Sequence, residues 1–378
     1  MAKGLYIHIP FCDHICTYCD FPKLVTKGQR HEEYIQALLQ ELKRYEQQVG
    51  FSDIQSIYIG GGTPTSLSVE QIQPLFHYLN QAINMEKIIE FSIEANPENL
   101  TDEKVKYLLS QKISRFSLGV QSFQETLLKR IGRQHSPEQV KKVVMMLKAN
   151  GISNINLDLI YAIPGQTLKQ LQEDLEMALS LDVEHISAYS LIVEEHTPLY
   201  LAYMKDQLCL TDNEVEATMY EHVIATLVQN GFKHYEISNF SKTIPSYHNQ
   251  WYWKNEQYIG IGLGAHGYVE GVRYQNTRSI NAYIDALAEK KLPIIESNVL
   301  SKEEKIEEEM FLGLRLLDGV DLDEVSKKYD IDVEAIYQEA FANLIEQQDL
   351  ERVGSTIRLT HKGLLMANEV FEQFLLSI

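Results

Sequence analysis

Along the first half of this chain, short runs of β-forming residues alternate with longer stretches of helical periodicity. The strand-like runs are 5–9, 54–59, 88–93, 114–120, 155–160 and 185–192, and the helical ones include 32–45, 69–83, 102–109, 138–149 and 168–181. Strand–helix repeated about six times calls for crossover connections, because parallel neighbours cannot be joined by a tight turn. An α/β fold around a parallel sheet follows. Six units fall short of the eight that close a full barrel, which leaves an open partial barrel or a doubly wound sheet.

The residues that end these strands point to a site. Ile59 runs into Gly60-Gly61-Gly62-Thr63, Ile93 into Glu94 and Val120 into Gln121; Leu157 precedes Asp158, and Ile163 leads to Pro164-Gly165. Ligands of parallel α/β sheets bind at the carboxyl ends of the strands, so glycines and polar groups collected there mark the expected position.

From 200 to 293 the pattern is less regular and contains both Trp residues. Beyond 303, Ile331, Val333, Ile336, Tyr337, Ala340, Phe341, Leu344 and Ile345 recur at helical spacing. They precede two short apolar runs, 350–353 and 357–359, around a Gly354-Ser355 turn. Helices followed by a hairpin suggest a C-terminal helical, winged-helix-like module. Residues 301–378 hold 8 Lys+Arg against 18 Asp+Glu, so packing or partner binding suits this module better than DNA reading. The run 302–309, rich in Glu and Lys, is expected to be a solvated helix face.

The whole chain has 34 Lys+Arg and 53 Asp+Glu, a net charge of −19, which disfavours nucleic acid as a partner. No run approaches the roughly 18 apolar residues of a membrane span. The first residues show no charged segment followed by a long apolar one. A cytoplasmic protein with reduced thiols is expected. Gly260, Gly262, Gly264 and Gly267 lack the context of a nucleotide loop and are expected in tight turns or on the far wall of the site.

Phe11-Cys12-Asp13-His14-Ile15-Cys16-Thr17-Tyr18-Cys19 places three of the four cysteines directly after the first strand. Three buried thiols, a zinc site completed by His8 or His14, and an iron–sulfur cluster are the alternatives. Thiolates hold iron–sulfur clusters, and three of them leave one iron of a 4Fe–4S cubane open to an exogenous ligand. The fourth cysteine, Cys209, is far away in sequence and reads as a core thiol.

The spacing CxxxCxxC resembles the signature of the radical SAM superfamily, in which S-adenosylmethionine (SAM) chelates the open iron. The segments Tyr6–Cys12, Gly60–Thr65, Leu118–Phe123 and Asp158–Tyr161 extend the likeness to the oxygen-independent coproporphyrinogen III oxidase family. That resemblance implies a partial (β/α)6 radical SAM barrel over 1–200, a barrel-covering segment over 201–300 and the C-terminal module over 301–378. It implies Cys12, Cys16 and Cys19 as cluster ligands, with Tyr6 and Tyr18 lining the cluster side. Gly61, Gly62 and Thr63 would meet the SAM amino group, and Glu94, Gln121, Arg133 and Asp158 would hold its amino-acid portion and ribose.

Two departures separate this chain from the oxidases of that family. They resemble CxxxCxxCxC, whereas Phe21 stands at the last cysteine position here. They also carry an extension ahead of the first strand, which here starts within the first few residues. In their place, His248-Asn249-Gln250-Trp251-Tyr252-Trp253 resembles the HNxxYW motif of the HemW-type heme chaperones. This implies a chain that binds heme, with His248 in the heme site, and passes it to an acceptor hemoprotein. Membrane contact through such an acceptor is allowed for. The alternative activity is oxidative decarboxylation of coproporphyrinogen III; a methyltransferase or heme-modifying enzyme on the same scaffold ranks third.

Overall fold

The computed structural model describes residues 1–376. Six strands lie parallel in sequence order: β1 (Gly4–Ile9), β2 (Ser56–Gly61), β3 (Glu90–Ala95), β4 (Arg115–Gln121), β5 (Ile155–Tyr161) and β6 (His185–Ser190). Helices follow them at His31–Gln48, Val69–Ala82, Asp102–Ser110, Pro137–Ala149, Leu168–Ser180 and Asn213–Gln229. This is the α/β partial barrel, left open. Several helices begin where the local sequence says they should. Ser68 with Gln71, Ser136 with Gln139 and Thr167 with Gln170 each form a reciprocal capping box.

The sheet runs on past both ends of this six-strand core to twelve strands. The free edge of β1 pairs in parallel with Tyr258–Ile261. Antiparallel strands His266–Val269, Val272–Asn276 and Ile294–Val299 then complete that side. Beyond β6 lie Asn239–Ser241 and Lys233–Glu236, both antiparallel to their neighbours. Much of the segment 201–300 is thus built into the sheet itself.

Alternation along β1 divides its side chains between two environments. Leu5, Ile7 and Ile9 are fully buried in the apolar core, while Tyr6 and His8 face the polar side. The helix His31–Gln48 is joined to the far strands by one buried carboxylate. Glu41 accepts hydrogen bonds from the Gly262 amide (2.9 Å), the Asn276 amide (2.7 Å) and the Tyr283 hydroxyl. Burial pushes its pKa up to about 7 despite those three donors. The glycine-rich stretch therefore serves as an anchoring turn.

A short helix, Tyr247–Trp253, closes the end of the barrel where the strands begin. Glu90, the first residue of β3, receives the Tyr247 amide at 2.8 Å, the His248 amide at 3.4 Å and the Ser246 hydroxyl at 3.3 Å. A carboxylate at a helix N-terminus satisfies donors that have no partner within the helix. The Arg115 side chain, 2% exposed, lies within the electrostatic reach of Glu90.

The C-terminal module has its own core, from Ile306 and Met310 to Phe374, and a three-stranded sheet of Val320–Asp321, Thr356–Leu359 and Leu350–Val353. Its first helix, Lys302–Gly313, corrects the expectation of a solvated face. Ile306 and Met310, four residues apart, bury one side, and Glu308 forms a two-pronged ion pair with Arg273 of the barrel sheet. Cys209 is likewise corrected: its thiol is exposed, in the stretch between helices Pro198–Met204 and Asn213–Gln229. Among the described residues no helix is long and apolar enough to cross a membrane.

Two outcomes follow from these buried carboxylates. Glu90→Ala removes the cap and takes from buried Arg115 the carboxylate that most favours its charge, so we expect a stability loss of about 3 kcal/mol in urea unfolding; a loss within experimental error would contradict the capping role. For Glu41 the folded-state pKa is raised from 4.5 to about 7. The folded state then holds a proton that the unfolded state releases, so its contribution is complete below about pH 4.5 and is lost as pH rises through about 7. Relative to the parent, Glu41→Gln should flatten the decline of stability across that window; parallel curves would refute it.

Candidate functional site

At the opposite end of the barrel, where the strands finish, the chain leaves β1 through Pro10 and enters the cysteine loop. Backbone bonds hold this loop in place. Gly62 and Thr63 donate to the carbonyls of Ile9 (2.9 Å) and Phe11 (2.7 Å), and Thr17 donates to the Ile131 carbonyl (3.1 Å). Gly61 needs to be glycine: its φ is +114°, and a Cβ there would lie 2.5 Å from the His8 ring.

An arc of hydrogen bonds joins two of the cysteines across the strand ends. The Thr63 hydroxyl donates to the Cys12 sulfur at 3.6 Å, and the Asn96 amide donates to that hydroxyl at 3.0 Å. Arg133 donates to the Asn96 carbonyl oxygen at 2.8 Å, to the Gly119 carbonyl and, at 3.6 Å, to the Cys16 sulfur. Arg133 is 8% exposed, and its Nε is buried without a partner. Gln121, at the end of β4, adopts φ +65° where the β4–β5 register slips. A Cβ at Gly119 would meet its amide, Asn96 and Arg133 at 3.0–3.2 Å, so those three polar groups converge there.

Burial raises the thiol pKa values of Cys12, to about 11, and of Cys19. Cys12, Cys16 and Cys19 lie within mutual electrostatic influence. No group of three or more His, Cys, Asp or Glu among the described residues converges on a single metal position. A cubane does not ask for that, since each thiolate binds a different iron. The donor set fits a cluster in a second respect, because hydroxyl and guanidinium donors already point at two of the sulfurs.

Below the arc, the barrel interior is polar. Glu94 accepts from the Gly61 amide (2.9 Å) and the Tyr58 hydroxyl (2.8 Å), and burial raises its pKa to about 7. Tyr6 stacks on Tyr58 with ring centres 6.1 Å apart. Asp158 accepts from Ser117 (2.9 Å) and Asn156 (2.8 Å). Tyr18 packs against the small cluster of Leu127, Ile131, Ile160 and Ile163. His8 is not placed to bind metal: its ring nitrogens contact the Tyr6 hydroxyl (3.0 Å) and the Pro22 carbonyl (2.7 Å).

His248 falls elsewhere. It sits in the helix that closes the other end of the barrel, 1% exposed, with Nδ1 on the Ser56 hydroxyl (2.8 Å) and Nε2 on the Tyr252 hydroxyl (2.7 Å). Burial and the nearby Arg115 charge lower its pKa to about 3. With both nitrogens engaged and the ring stacked on Tyr58, it offers no lone pair to an external iron. A bond from His248 to an iron would first have to displace Ser56 or Tyr252. Asn96, in contrast, was missed. It lies two positions past Glu94 and just beyond the end of β3, and only the fold reveals it as the link between Thr63 and Arg133.

Comparison with known proteins agrees with this geometry. Residues 6–178 match the Radical SAM superfamily and residues 300–366 match the HemN C-terminal domain. Heme chaperone HemW of Bacillus subtilis is 44% identical over 375 residues, covering 99% of both chains. Its counterpart from Lactococcus lactis is 43% identical over 376 residues, covering 99% of this chain and 98% of the relative. The structure of coproporphyrinogen III oxidase (HemN) from Escherichia coli superposes with a TM-score of 0.87 at 22% identity, covering 100% of this chain and 91% of that one. The structural likeness speaks for the fold alone. The full-length identities go further: this chain belongs to the HemW family of heme chaperones, within the radical SAM superfamily.

Proposed function

We propose that this chain holds a 4Fe–4S cluster on Cys12, Cys16 and Cys19, SAM against the strand ends, and heme, which it passes to an acceptor hemoprotein in the cytoplasm. The division of labour would follow the chain: the barrel 1–200 carries the cluster and SAM, 201–300 contributes to the heme-binding side, and 301–378 packs against it. The observation that supports the cluster most is the hydrogen-bonded arc, which aims donors at the sulfurs of Cys12 and Cys16. Such donors stabilise thiolates and tune what they bind.

When bound, the cluster offers an open iron to the SAM amino and carboxylate groups and an electron to its sulfonium bond. The chain's own residues do the positioning. Gly61, Gly62 and Thr63 have their amides committed to Glu94 and to the carbonyls of Ile9 and Phe11, so the carbonyl side of this turn is what remains for an ammonium group. The unpartnered Nε of Arg133 is a donor for a carboxylate, and Gln121 beside it supplies an amide. Glu94 and Asp158 line the depth of the barrel toward the ribose; Tyr6 and Tyr18 give it flat apolar walls.

Phe21, at the position where the oxidases have a further cysteine, is 62% exposed and offers no ligand to metal. A chain of this kind delivers heme and leaves coproporphyrinogen III unaltered.

Anaerobic reconstitution should give about four irons per chain. The triple change of Cys12, Cys16 and Cys19 to Ala should abolish the visible charge-transfer absorption. A triple variant that keeps its cluster would refute the ligand set. With SAM and reductant, coproporphyrinogen III should keep its mass; conversion to protoporphyrinogen IX would restore the oxidase reading.

A further inference from the structure

Between the β1 side of the sheet and helix Lys302–Gly313 lies a cavity of about 580 Å³. Its walls carry Tyr6, Phe21, Tyr252 and Trp253, with Phe311 reaching in from the C-terminal module. Gly264 and Ala265, at the turn before strand His266–Val269, add small surfaces. The size lies within the range of sites that take ligands of a few hundred daltons, and flat aromatic walls suit a flat aromatic guest.

The polar groups at this cavity are few and specific. His266 opens onto it, exposed, with no hydrogen bond at either ring nitrogen among the described residues. That sets it apart from His8 and His248, both of whose nitrogens are engaged. A neutral imidazole with a free nitrogen is a ligand for heme iron. Partial burial and the charges of Arg278 and Arg273 lower the pKa of His266, which favours its neutral form.

Two arginines line the same cavity and differ in what they have left to offer. Arg273 is neutralised by Glu308. Arg278 is exposed, donates only to the Asp20 carbonyl, and has no carboxylate in ion-pair reach among the described residues. Asn255, 6% exposed on the cavity wall, has a buried side-chain NH₂ without a partner. A buried donor left unpaired inside a cavity is expensive unless something polar occupies it.

The geometry points to this cavity as the heme seat, with His266 as an iron ligand and Arg278 as the partner of a heme propionate. The inference rests on the heme-chaperone reading and deepens it by naming the site. The aromatic walls cover the macrocycle, and the carboxylates meet Arg278 and the Asn255 amide. Because Asp20, Phe21 and Pro22 follow Cys19 directly, while Tyr252 and Trp253 belong to the closing helix, the guest would lie along the outside of β1 between the cysteine loop and that helix. The HNxxYW segment still contributes, through Tyr252 and Trp253 rather than through its histidine.

The test is a heme titration of the cluster-loaded protein, followed at the Soret band, in the parent, His266→Ala, Arg278→Glu and His77→Ala. His77 is an exposed histidine on helix Val69–Ala82, outside the cavity. The parent and His77→Ala should saturate with the same midpoint and spectrum. His266→Ala should bind at least about tenfold more weakly with a shifted Soret band, which added imidazole restores. Arg278→Glu should weaken binding without moving the band, and it gives an independent result should His266→Ala fail to fold. Saturation of both cavity variants at the parent's midpoint and spectrum overturns the site while leaving heme binding intact. Failure of the parent itself to saturate overturns the heme-binding reading, and the site with it.

Discussion

Strand β1 is paired in parallel on both of its edges, to β2 on one side and to Tyr258–Ile261 on the other, and most of the molecule is arranged around that fact. A strand held on both edges cannot slip without turning every side chain to the wrong face. Its carboxyl end therefore delivers the cysteine loop to a fixed point above the barrel. Its polar-facing residues, Tyr6 and His8, are equally fixed; both reach the cavity beside the C-terminal module, and Tyr6 also stacks on Tyr58 inside the barrel. Cysteine loop and cavity are neighbours because they share this strand.

The barrel has two ends with different chemistry. Where the strands finish, sulfurs, glycines and hydrogen-bond donors converge with spare capacity, including the unpaired Nε of Arg133. Where they begin, Glu90 saturates the start of helix Tyr247–Trp253, and His248 is held between Ser56 and Tyr252. The same fold carries an oxidase in Escherichia coli, so the architecture alone does not choose between modifying a tetrapyrrole and carrying one. Phe21 puts exposed aromatic surface directly after the cysteine loop.

Features set by short-range pattern were legible in the sequence. The six strands appear within a few residues of their expected positions, since alternation and capping boxes are local signals. Cys12, Thr63 and Gln121 could be gathered because each belongs to a recognisable segment at a strand end, whereas Arg133, between two helices, came only from the family resemblance. What escaped depended on distant partners. His248 looks like a free imidazole among aromatics until Ser56, from another strand, occupies its Nδ1. Asn96 has no motif of its own and acquires its role only when Thr63 and Arg133 flank it. His266 carries no signal among its neighbouring glycines, because the cavity onto which it opens is completed by a helix about forty residues later.

The central claim is that this chain gives heme away. The direct measurement is to load the cluster-bearing protein with heme, mix it with the apo form of a b-type hemoprotein, and follow the acceptor's Soret spectrum alongside the donor's. The account predicts that the acceptor gains its native spectrum as the donor loses heme in equal amount, while the donor's cluster absorption persists. A donor that retains its heme, or an acceptor that fills no faster in the loaded protein's presence than with the same total of free heme, would contradict it.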